Sequence, residues 1–416
     1  MKTNNIIGCS LVIASLFLSA CSTTGEEVQH ETKKKLIEFF QPKPEAVEFF
    51  NEMIDQFEML HPDIEIEQVN VPDGMAVLKT RIARGNVPDI FITYPIEQDY
   101  VVRAEKGYLL DLTNENFIQQ VDPEIQNRYL INEKMYGVAL SQNAVGVIYN
   151  THIFEELQLD IPQTWDEFLL TLELLEMEGK QPILIGNKEL ENISVFNLNF
   201  IANEFDSDYW NKLNQGKVTI TNDPRWIEAS EKMLQVLDYV QDNSFSYDSE
   251  AVIHAFIEGD AAMFVDGVWM LPRIEKLDPQ LTYGIFPFPV TNDVESNNVL
   301  GGVDGGFAIS ADTNNPDEAK LFLEFLLTKE NAQKFSDYEG NISAVKGVNM
   351  NKPEVNRLAE HVTMGKTVNW PNHHWAGGTA AEAEFRRISQ QFFLDRDIDT
   401  FLEKLEIMFQ NYRQQQ

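Results

Sequence analysis

Short strand-forming runs alternate with amphipathic helices from residue 36 to residue 93, and this alternation limits the possible folds more than any other feature of the chain. Strand-like runs at 36–40, 64–67 and 89–93 enclose two helical segments. Because the links between them are short, the pattern predicts a parallel sheet of the α/β class. Ligands of such sheets bind beyond the carboxyl ends of the strands, which are residues 41–43 and 93–95 here.

A second α/β unit begins near residue 146. Its strand-like runs lie at 146–150, 182–185, 261–265 and 282–286. Thr164 and Glu167 have the spacing of a capping box at the start of a helix. A glycine-rich turn at 301–306 precedes another strand at 307–310, and two helices follow residue 379. A chain of 416 residues with two such units predicts two or more domains.

The charge of the chain excludes some classes of partner. Lys and Arg number 32 and Asp and Glu number 66, which gives a formal net charge of −34. Such a surface repels nucleic acid and anionic lipid headgroups, so neither is expected as a ligand. The acidic residues are spread along the chain, as on a solvated surface, and do not form an acidic tail.

The amino terminus has the features of a signal peptide. An apolar run from Ile6 to Phe17 follows Lys2, and it is too short for a stable membrane-spanning helix. The sequence Leu18-Ser19-Ala20-Cys21 then resembles the lipobox of bacterial lipoproteins. That resemblance implies a signal peptide at 1–20 and a diacylglycerol and palmitate anchor on Cys21. The polar segment 21–33 would be a flexible tether, with the protein on the outer face of the cell membrane of a Gram-positive bacterium.

Several motifs, taken together, resemble one protein family. The segment 78–90, Leu-Lys-Thr-Arg-Ile-Ala-Arg-Gly-Asn-Val-Pro-Asp-Ile, is similar to a segment of sugar-binding proteins that serve ATP-binding-cassette importers. Three further motifs follow it in the order expected for the family. They are Gly-Tyr-Leu-Leu-Asp-Leu-Thr at 107–113, Gly-Val-Ile-Tyr-Asn at 146–150 and Pro-Gln-Thr-Trp-Asp-Glu-Phe at 162–168. The chain is therefore identified as resembling extracellular solute-binding protein family 1, most closely its raffinose-type and multiple-sugar binders.

The resemblance implies a monomeric, two-lobed fold of the type II periplasmic-binding-protein kind, with a ligand cleft at a hinge. The lobes would comprise 34–145 plus 302–345 and 146–301 plus 346–416. It also implies an oligosaccharide ligand, the transmembrane subunits of an importer as partner, no enzymatic activity and no cofactor.

A neutral sugar offers hydroxyl groups and flat C–H faces, so its site should combine carboxylate or amide groups with exposed aromatic rings. The resemblance carries such roles to positions in four segments of the chain. The principal candidates are Lys43, Tyr94, Trp269, Asp304, Trp370, Asn372 and His373. Secondary candidates are Gln41, Asp89, Asn143, Phe196 and Asp266.

The sequence departs from the family at two points of this site. Raffinose-type binders have an Asp-His pair where this chain has Asn372 and His373, so an amide replaces one carboxylate. A tryptophan that is frequent in the family near 188–192 is missing, and Phe196 or Phe200 would have to substitute for it.

Other functions are compatible with the same residues. Asp266 and Asp304 could be the carboxylate pair of an exported glycoside hydrolase, which requires a specific separation. A sugar sensor for a membrane kinase or chemoreceptor would differ only in its partner, and the acidity would also suit a polyamine binder. The adjacent His373 and His374 point in different directions and lack a carboxylate at helical spacing, so no metal site is predicted.

Overall fold

The computed structural model describes residues 34–95 and 98–414. It confirms the predicted α/β class, with long helices packed around mixed sheets. Cys21 and the predicted signal peptide and tether lie outside the described residues. Within the described part of the chain, no helix combines the length and the apolar character needed to cross a bilayer.

The strands are short, apart from one of ten residues. In chain order they are β1 (Lys35–Phe40), β2 (Ile64–Val69), β3 (Ile90–Thr93), β4 (Leu130–Ile131), β5 (Lys134–Met135), β6 (Ser141–Asn150), β7 (Gln181–Leu184), β8 (Ala261–Gly267), β9 (Tyr283–Phe286), β10 (Val299–Val303), β11 (Gly306–Ile309), β12 (Ile342–Ser343) and β13 (Thr367–Val368).

The helices cover the faces of these sheets and form the carboxyl-terminal part of the chain. They are α1 (Val47–Leu60), α2 (Gly74–Ala83), α3 (Gln98–Glu105), α4 (Pro123–Gln126), α5 (Thr151–Glu156), α6 (Trp165–Met177), α7 (Leu190–Glu204), α8 (Ser207–Asn214), α9 (Pro224–Leu237), α10 (Ser249–Ile257), α11 (Leu271–Leu277), α12 (Pro316–Leu326), α13 (Lys329–Glu339), α14 (Asn356–Thr363), α15 (Gly378–Asp395) and α16 (Ile398–Arg413). The capping box predicted at Thr164 and Glu167 is present at the start of α6.

The first lobe is built on a four-stranded sheet in the order β11-β3-β1-β2. As predicted, β1 pairs in parallel with β2 and with β3. The fourth strand, whose direction the sequence pattern did not predict, lies at one edge of the sheet, where β11 pairs antiparallel with β3. The chain reaches β11 from β10 through only Asp304 and Gly305, so it enters at the carboxyl end of β3, and a parallel pairing would need a long crossover.

Aromatic residues from distant parts of the chain form the core of the first lobe. The ring of Phe39 in β1 lies 5.1 Å from that of Phe50 in α1, 5.9 Å from that of Phe307 in β11 and 5.7 Å from that of Phe322 in α12. Tilted and edge-on ring packing of this kind is favourable beyond the area it buries. The segment that returns to this lobe after residue 303 is therefore part of its core.

The second lobe is organised around β6, which pairs with β8, β9, β10 and β12. The sequence predicts a strand at 146–150, and the structure extends it back to Ser141. This extension brings Asn143 against Gly302 of β10, next to the link that leads back to the first lobe. The strand β6 therefore joins the core of the second lobe to the region between the lobes.

The prediction of a turn over 301–306 is wrong for its first half. Gly301 and Gly302 lie in β10, and only Asp304 and Gly305 form the link to β11. A Cβ atom on Gly301 would lie 2.4 Å from the carbonyl oxygen of Asn143, so glycine allows β10 to approach β6 closely. The lobe boundaries given above stay a prediction.

Candidate ligand-binding site

Asp304 lies at the centre of the candidate site, in the link between β10 and β11, and its side chain is buried. Its backbone is held by a hydrogen bond from its amide to Ser141 O (3.0 Å) and by one from the Tyr129 hydroxyl to its carbonyl (3.1 Å). Its carboxylate accepts from Lys43 Nζ at 2.7 Å and from Asn143 Nδ2 at 3.3 Å. Asp304 therefore connects Lys43, which follows β1, with Asn143 of β6.

Lys43 follows β1 and is almost completely buried, with 7% of its surface exposed. Its ammonium lies 2.5 Å from Glu339 Oε1 and 3.8 Å from Glu45 Oε1, besides its contact with Asp304. Burial lowers the pKa of Lys43, but the carboxylates of Asp304, Glu339 and Glu45 outweigh it and hold the pKa well above its usual value. Lys43 is therefore a buried cation surrounded by acids.

Two tryptophans form an aromatic surface beside Asp304. Trp370 Nε1 donates to Asn143 Oδ1 at 3.4 Å, so Asn143 bridges Trp370 and Asp304. The rings of Trp370 and Trp269 lie 6.2 Å apart at 37°. Both rings are partly exposed, which leaves indole surface available to a ligand.

The position of Trp269 depends on the end of β8. A Cβ atom on Gly267 would lie 2.2 Å from the Trp269 ring, so the ring lies directly over the glycine. Asp266, buried beside it, accepts a hydrogen bond from the Gly267 amide at 2.7 Å. Burial raises the pKa of Asp266 to about 7, although the hydrogen bonds from Gly267 and Trp269 oppose the shift. Asp266 therefore supports the turn that carries Trp269.

A 3₁₀ turn over Pro371–His374 adds two polar side chains next to Trp370. The ring of His373 lies 6.5 Å from that of Trp370. Asn372 Oδ1 and His373 Nδ1 are buried and lack a hydrogen-bond partner among the described residues. Burial lowers the pKa of His373 to about 4, so the imidazole is neutral at pH 7. Buried polar atoms normally have partners, so these two atoms lack the pairing that is usual in a protein interior.

Tyr94 lies at the carboxyl end of β3, beside the same link. A Cβ atom on Gly305 would lie 3.3 Å from the Tyr94 ring, and Tyr94 is near enough to Lys43 to influence its pKa. The structure thus brings together the seven principal candidates, and the secondary candidates Asn143 and Asp266 lie beside them.

The remaining candidates lie elsewhere or have other contacts. Gln41 is fully buried, and its amide donates to Gln68 Oε1 (2.7 Å) while accepting from the Lys43 amide (2.7 Å). Asp89 precedes β3, at the opposite end of that strand from Tyr94, and accepts from Glu38 N at 2.9 Å. Phe196 is on the buried face of α7, with its ring 5.2 Å from that of Phe200. We therefore do not assign these three side chains to the ligand.

Sequence reasoning missed Glu339 and Glu45, which complete the surroundings of Lys43. In α13, the buried residues Ala332, Phe335, Ser336 and Glu339 recur at helical spacing. That spacing is the signal that could have placed Glu339 on a buried face. Separately, among residues 34–95 and 98–414 no group of three or more His, Cys, Asp or Glu side chains is arranged to hold a metal ion.

Comparison with known proteins identifies a family and several relatives. A sequence model described as bacterial extracellular solute-binding protein matches residues 42–333. The multiple sugar-binding protein of Streptococcus mutans is 30% identical over 87% of this chain and 88% of its own. The melibiose/raffinose/stachyose-binding protein MelE of Bacillus subtilis is 23% identical over 81% of this chain and 80% of its own.

Among solved structures, the solute-binding protein RafE in complex with raffinose is similar to this chain. It superposes with a TM-score of 0.83 and 28% identity, and the match covers 91% of this chain and 99% of the other. This match confirms the predicted two-lobed α/β fold.

Proposed function

Since the chain belongs to the family of bacterial extracellular solute-binding proteins, we propose that it captures an oligosaccharide of the raffinose or multiple-sugar type and delivers it to an ATP-binding-cassette permease. The observation that carries this proposal is the hydrogen-bonded series Lys43, Asp304, Asn143 and Trp370. It combines carboxylate, amide and indole groups next to the exposed face of Trp269, which is the chemistry that a sugar needs.

In the proposed complex, the C–H faces of the sugar stack on Trp269 and Trp370. Hydroxyl groups donate to the carboxylate of Asp304 and to Asn372 Oδ1, which has no partner within the described residues. Tyr94 borders the same space from the first lobe. Charge-assisted hydrogen bonds to Asp304 would supply more affinity than the neutral ones to Asn372.

Capture uses the hinge between the lobes. Asp304 and Tyr94 belong to the link and the first lobe, whereas Trp269 and Trp370 belong to the second. A sugar that contacts both sets favours the closed arrangement through its differential contacts, with no chemical step. The closed form would then be recognised by the transmembrane subunits. We place the lobe boundaries at 34–145 plus 302–345 and 146–301 plus 346–416.

Lipidation of Cys21 would hold the monomer at the outer face of the membrane. Two acyl chains are enough for stable anchoring, whereas one is marginal. This part of the proposal rests on the lipobox-like sequence alone.

The test is calorimetric titration of the purified protein with raffinose, stachyose and maltotriose. Titration with spermidine tests the alternative that the protein binds polyamines. We expect at least one sugar to bind, and Asp304→Ala to weaken that binding about tenfold or more. Exclusive binding of spermidine would contradict the proposal. Release of reducing sugar that Asp304→Ala abolishes would instead favour a hydrolase.

A further inference from the structure

Four largely buried side chains beside the proposed sugar site form a group that we call the Lys43 cluster: Lys43, Glu45, Asp304 and Glu339. Lys43 Nζ lies 2.7 Å from Asp304 Oδ2, 2.5 Å from Glu339 Oε1 and 3.8 Å from Glu45 Oε1. The exposed fractions of these side chains are 8%, 5%, 1% and 12% for Lys43, Asp304, Glu339 and Glu45. Water therefore has little access to the charges.

The cluster contains more acid than base. If all of its groups were ionised, three carboxylates and one ammonium would leave two uncompensated negative charges in a buried place. Burial disfavours such a state, and repulsion between neighbouring carboxylates disfavours it further. Burial raises the pKa of Glu45 to about 7, with Lys43 opposing the shift and Glu339 adding to it. Burial likewise raises the pKa of Glu339.

The groups around the cluster supply hydrogen bonds and no second ammonium or guanidinium partner among the described residues. Asn341, which follows α13, donates to Glu339, and Tyr338 donates to the carbonyl of Glu45 at 2.7 Å. Tyr94 faces Lys43 from the end of β3.

Apart from Lys43, the residues around Asp304 likewise supply hydrogen bonds. Ser141 and Asn143 approach Asp304 from β6, and Tyr129 approaches its carbonyl. The nearby Lys352 bonds the carbonyl of Tyr338 and forms its ion pair with Glu275. Protonation is therefore the means left to reduce the excess negative charge of the cluster.

We propose that the Lys43 cluster takes up a proton when sugar binds, so that sugar affinity increases as the medium is acidified through neutrality. In this arrangement Glu45 and Glu339 are positioning residues, because they act on the sugar only through Lys43 and Asp304. The inference rests on the proposed function, since it requires a sugar to contact Asp304.

The direction of the effect follows from desolvation. A bound sugar and the closed second lobe cover Asp304 and exclude the remaining water, which makes a net negative cluster less favourable. The bound protein therefore holds more protons than the free protein. By linkage, affinity decreases as pH rises through the interval in which the free cluster loses its proton. Uptake of a single proton limits the change in sugar affinity to about tenfold per pH unit.

The experiment is calorimetric titration of the full chain with raffinose at pH 6, 7 and 8. At pH 7 it is run in phosphate and in Tris, whose ionisation heats differ. We expect the dissociation constant to increase about three- to tenfold from pH 6 to pH 8. We also expect the apparent binding heat to differ between the buffers in the sense of proton uptake.

Two variants test the assignment to the cluster. Glu45→Gln mimics the protonated carboxyl, so it should bind raffinose with an affinity that is nearly independent of pH and close to that of the parent at pH 6. The matched control is Glu52→Gln, which alters an exposed glutamate of α1 and should keep the pH dependence of the parent. If Glu45→Gln does not fold, the buffer comparison on the parent protein still decides the matter.

Raffinose binding with a flat pH profile and a buffer-independent heat would overturn this inference and leave the proposed function standing. Failure of raffinose, stachyose and maltotriose to bind at every pH would overturn both.

Discussion

The indole nitrogen of Trp370 lies 3.4 Å from Asn143 Oδ1 and donates a hydrogen bond to it, although 227 residues separate the two in sequence. The amide nitrogen of the same Asn143 donates to Asp304 at 3.3 Å. One amide thus fixes an aromatic ring and a carboxylate relative to each other. Asparagine suits this position because its side chain can accept and donate at the same time.

Replacing Asn143 with alanine should weaken raffinose binding about tenfold, because Trp370 and Asp304 each lose a partner in a partly buried site. Calorimetric titration measures the change. Asn211→Ala, at an exposed position of α8, is the matched control and should bind as the parent does. An unchanged affinity in Asn143→Ala would contradict a role for this bridge.

Trp269→Ala should weaken raffinose binding at least about tenfold while the protein stays folded, because the variant loses a partly exposed stacking surface and no fully buried side chain. The raffinose affinity of Trp269→Phe should lie between those of Trp269→Ala and the parent. Tyr108→Ala, which removes an exposed ring, serves as the control. Equal affinity of Trp269→Ala and its parent would show that the site has been placed wrongly.

Asn372→Asp should increase raffinose affinity about three- to fivefold at pH 7, because a carboxylate accepts hydroxyl hydrogen bonds more strongly than an amide. The buried Oδ1 of Asn372, which has no partner in the described structure, is the atom that would gain this interaction. Titration of both proteins with raffinose and stachyose measures the change. A loss of affinity for both sugars would argue that Asn372 faces a ligand acceptor.

Asp266 should make the stability of the protein depend on pH. Burial raises its pKa to about 7, whereas an aspartate in an unfolded chain has a pKa of about 4. Between these values the folded state keeps a proton that the unfolded chain loses, so its contribution to the free energy of unfolding falls as pH rises from about 4 to about 7. Asp266→Asn should therefore raise the free energy of unfolding by about 1–2 kcal/mol at pH 8 and leave it unchanged at pH 4.

Urea denaturation at both pH values checks this expectation. Asp242→Asn, at an exposed position of the same lobe, should show no such difference between pH 4 and pH 8. An equal effect of Asp266→Asn at the two pH values would refute the titration of Asp266.

Phe196→Ala should lower the free energy of unfolding by about 3–5 kcal/mol, because it leaves a cavity in a packed aromatic core. The ring of Phe196 lies 5.9 Å from that of Phe393, in the contact between α7 and α15. Raffinose affinity of the folded variant should stay within about twofold of the parent, as expected for a side chain that the ligand does not touch. Leu394→Ala, which truncates an exposed side chain, is the stability control.

Local patterns in the sequence predict most strands and helices, because apolar periodicity and caps act over a few residues. The helix α6 begins at the predicted capping box, β1 lies at the predicted strand-like run, and β2 lies where apolar and polar residues alternate. The antiparallel direction of β11 was not predictable from local patterns, because it depends on the end of the sheet at which the preceding segment arrives.

The candidate site was likewise predictable only in part. Motif resemblance predicted Asp304, Trp269 and Trp370, which the structure brings together. It did not reveal that Glu339 encloses Lys43, because that contact joins residues about 300 positions apart in sequence. The contact with Glu45 was missed although the two residues are neighbours in sequence, because a glutamate in a loop looks the same in sequence whether it is buried or solvated. Phe196 shows the reverse difficulty, since a phenylalanine on a helix looks the same in sequence whether it faces a ligand or a core.

The pairing of β11 with β3 has a consequence for the order in which the molecule can assemble during synthesis. Residues 306–309 complete a sheet whose other strands end at residue 93, so a ribosome must make more than half of the chain before that sheet has its last strand. Until then the backbone groups of Ile90–Thr93 form an open edge. The amino-terminal lobe should consequently mature late, and a nascent chain interrupted before Gly306 should be prone to self-association through that uncovered strand.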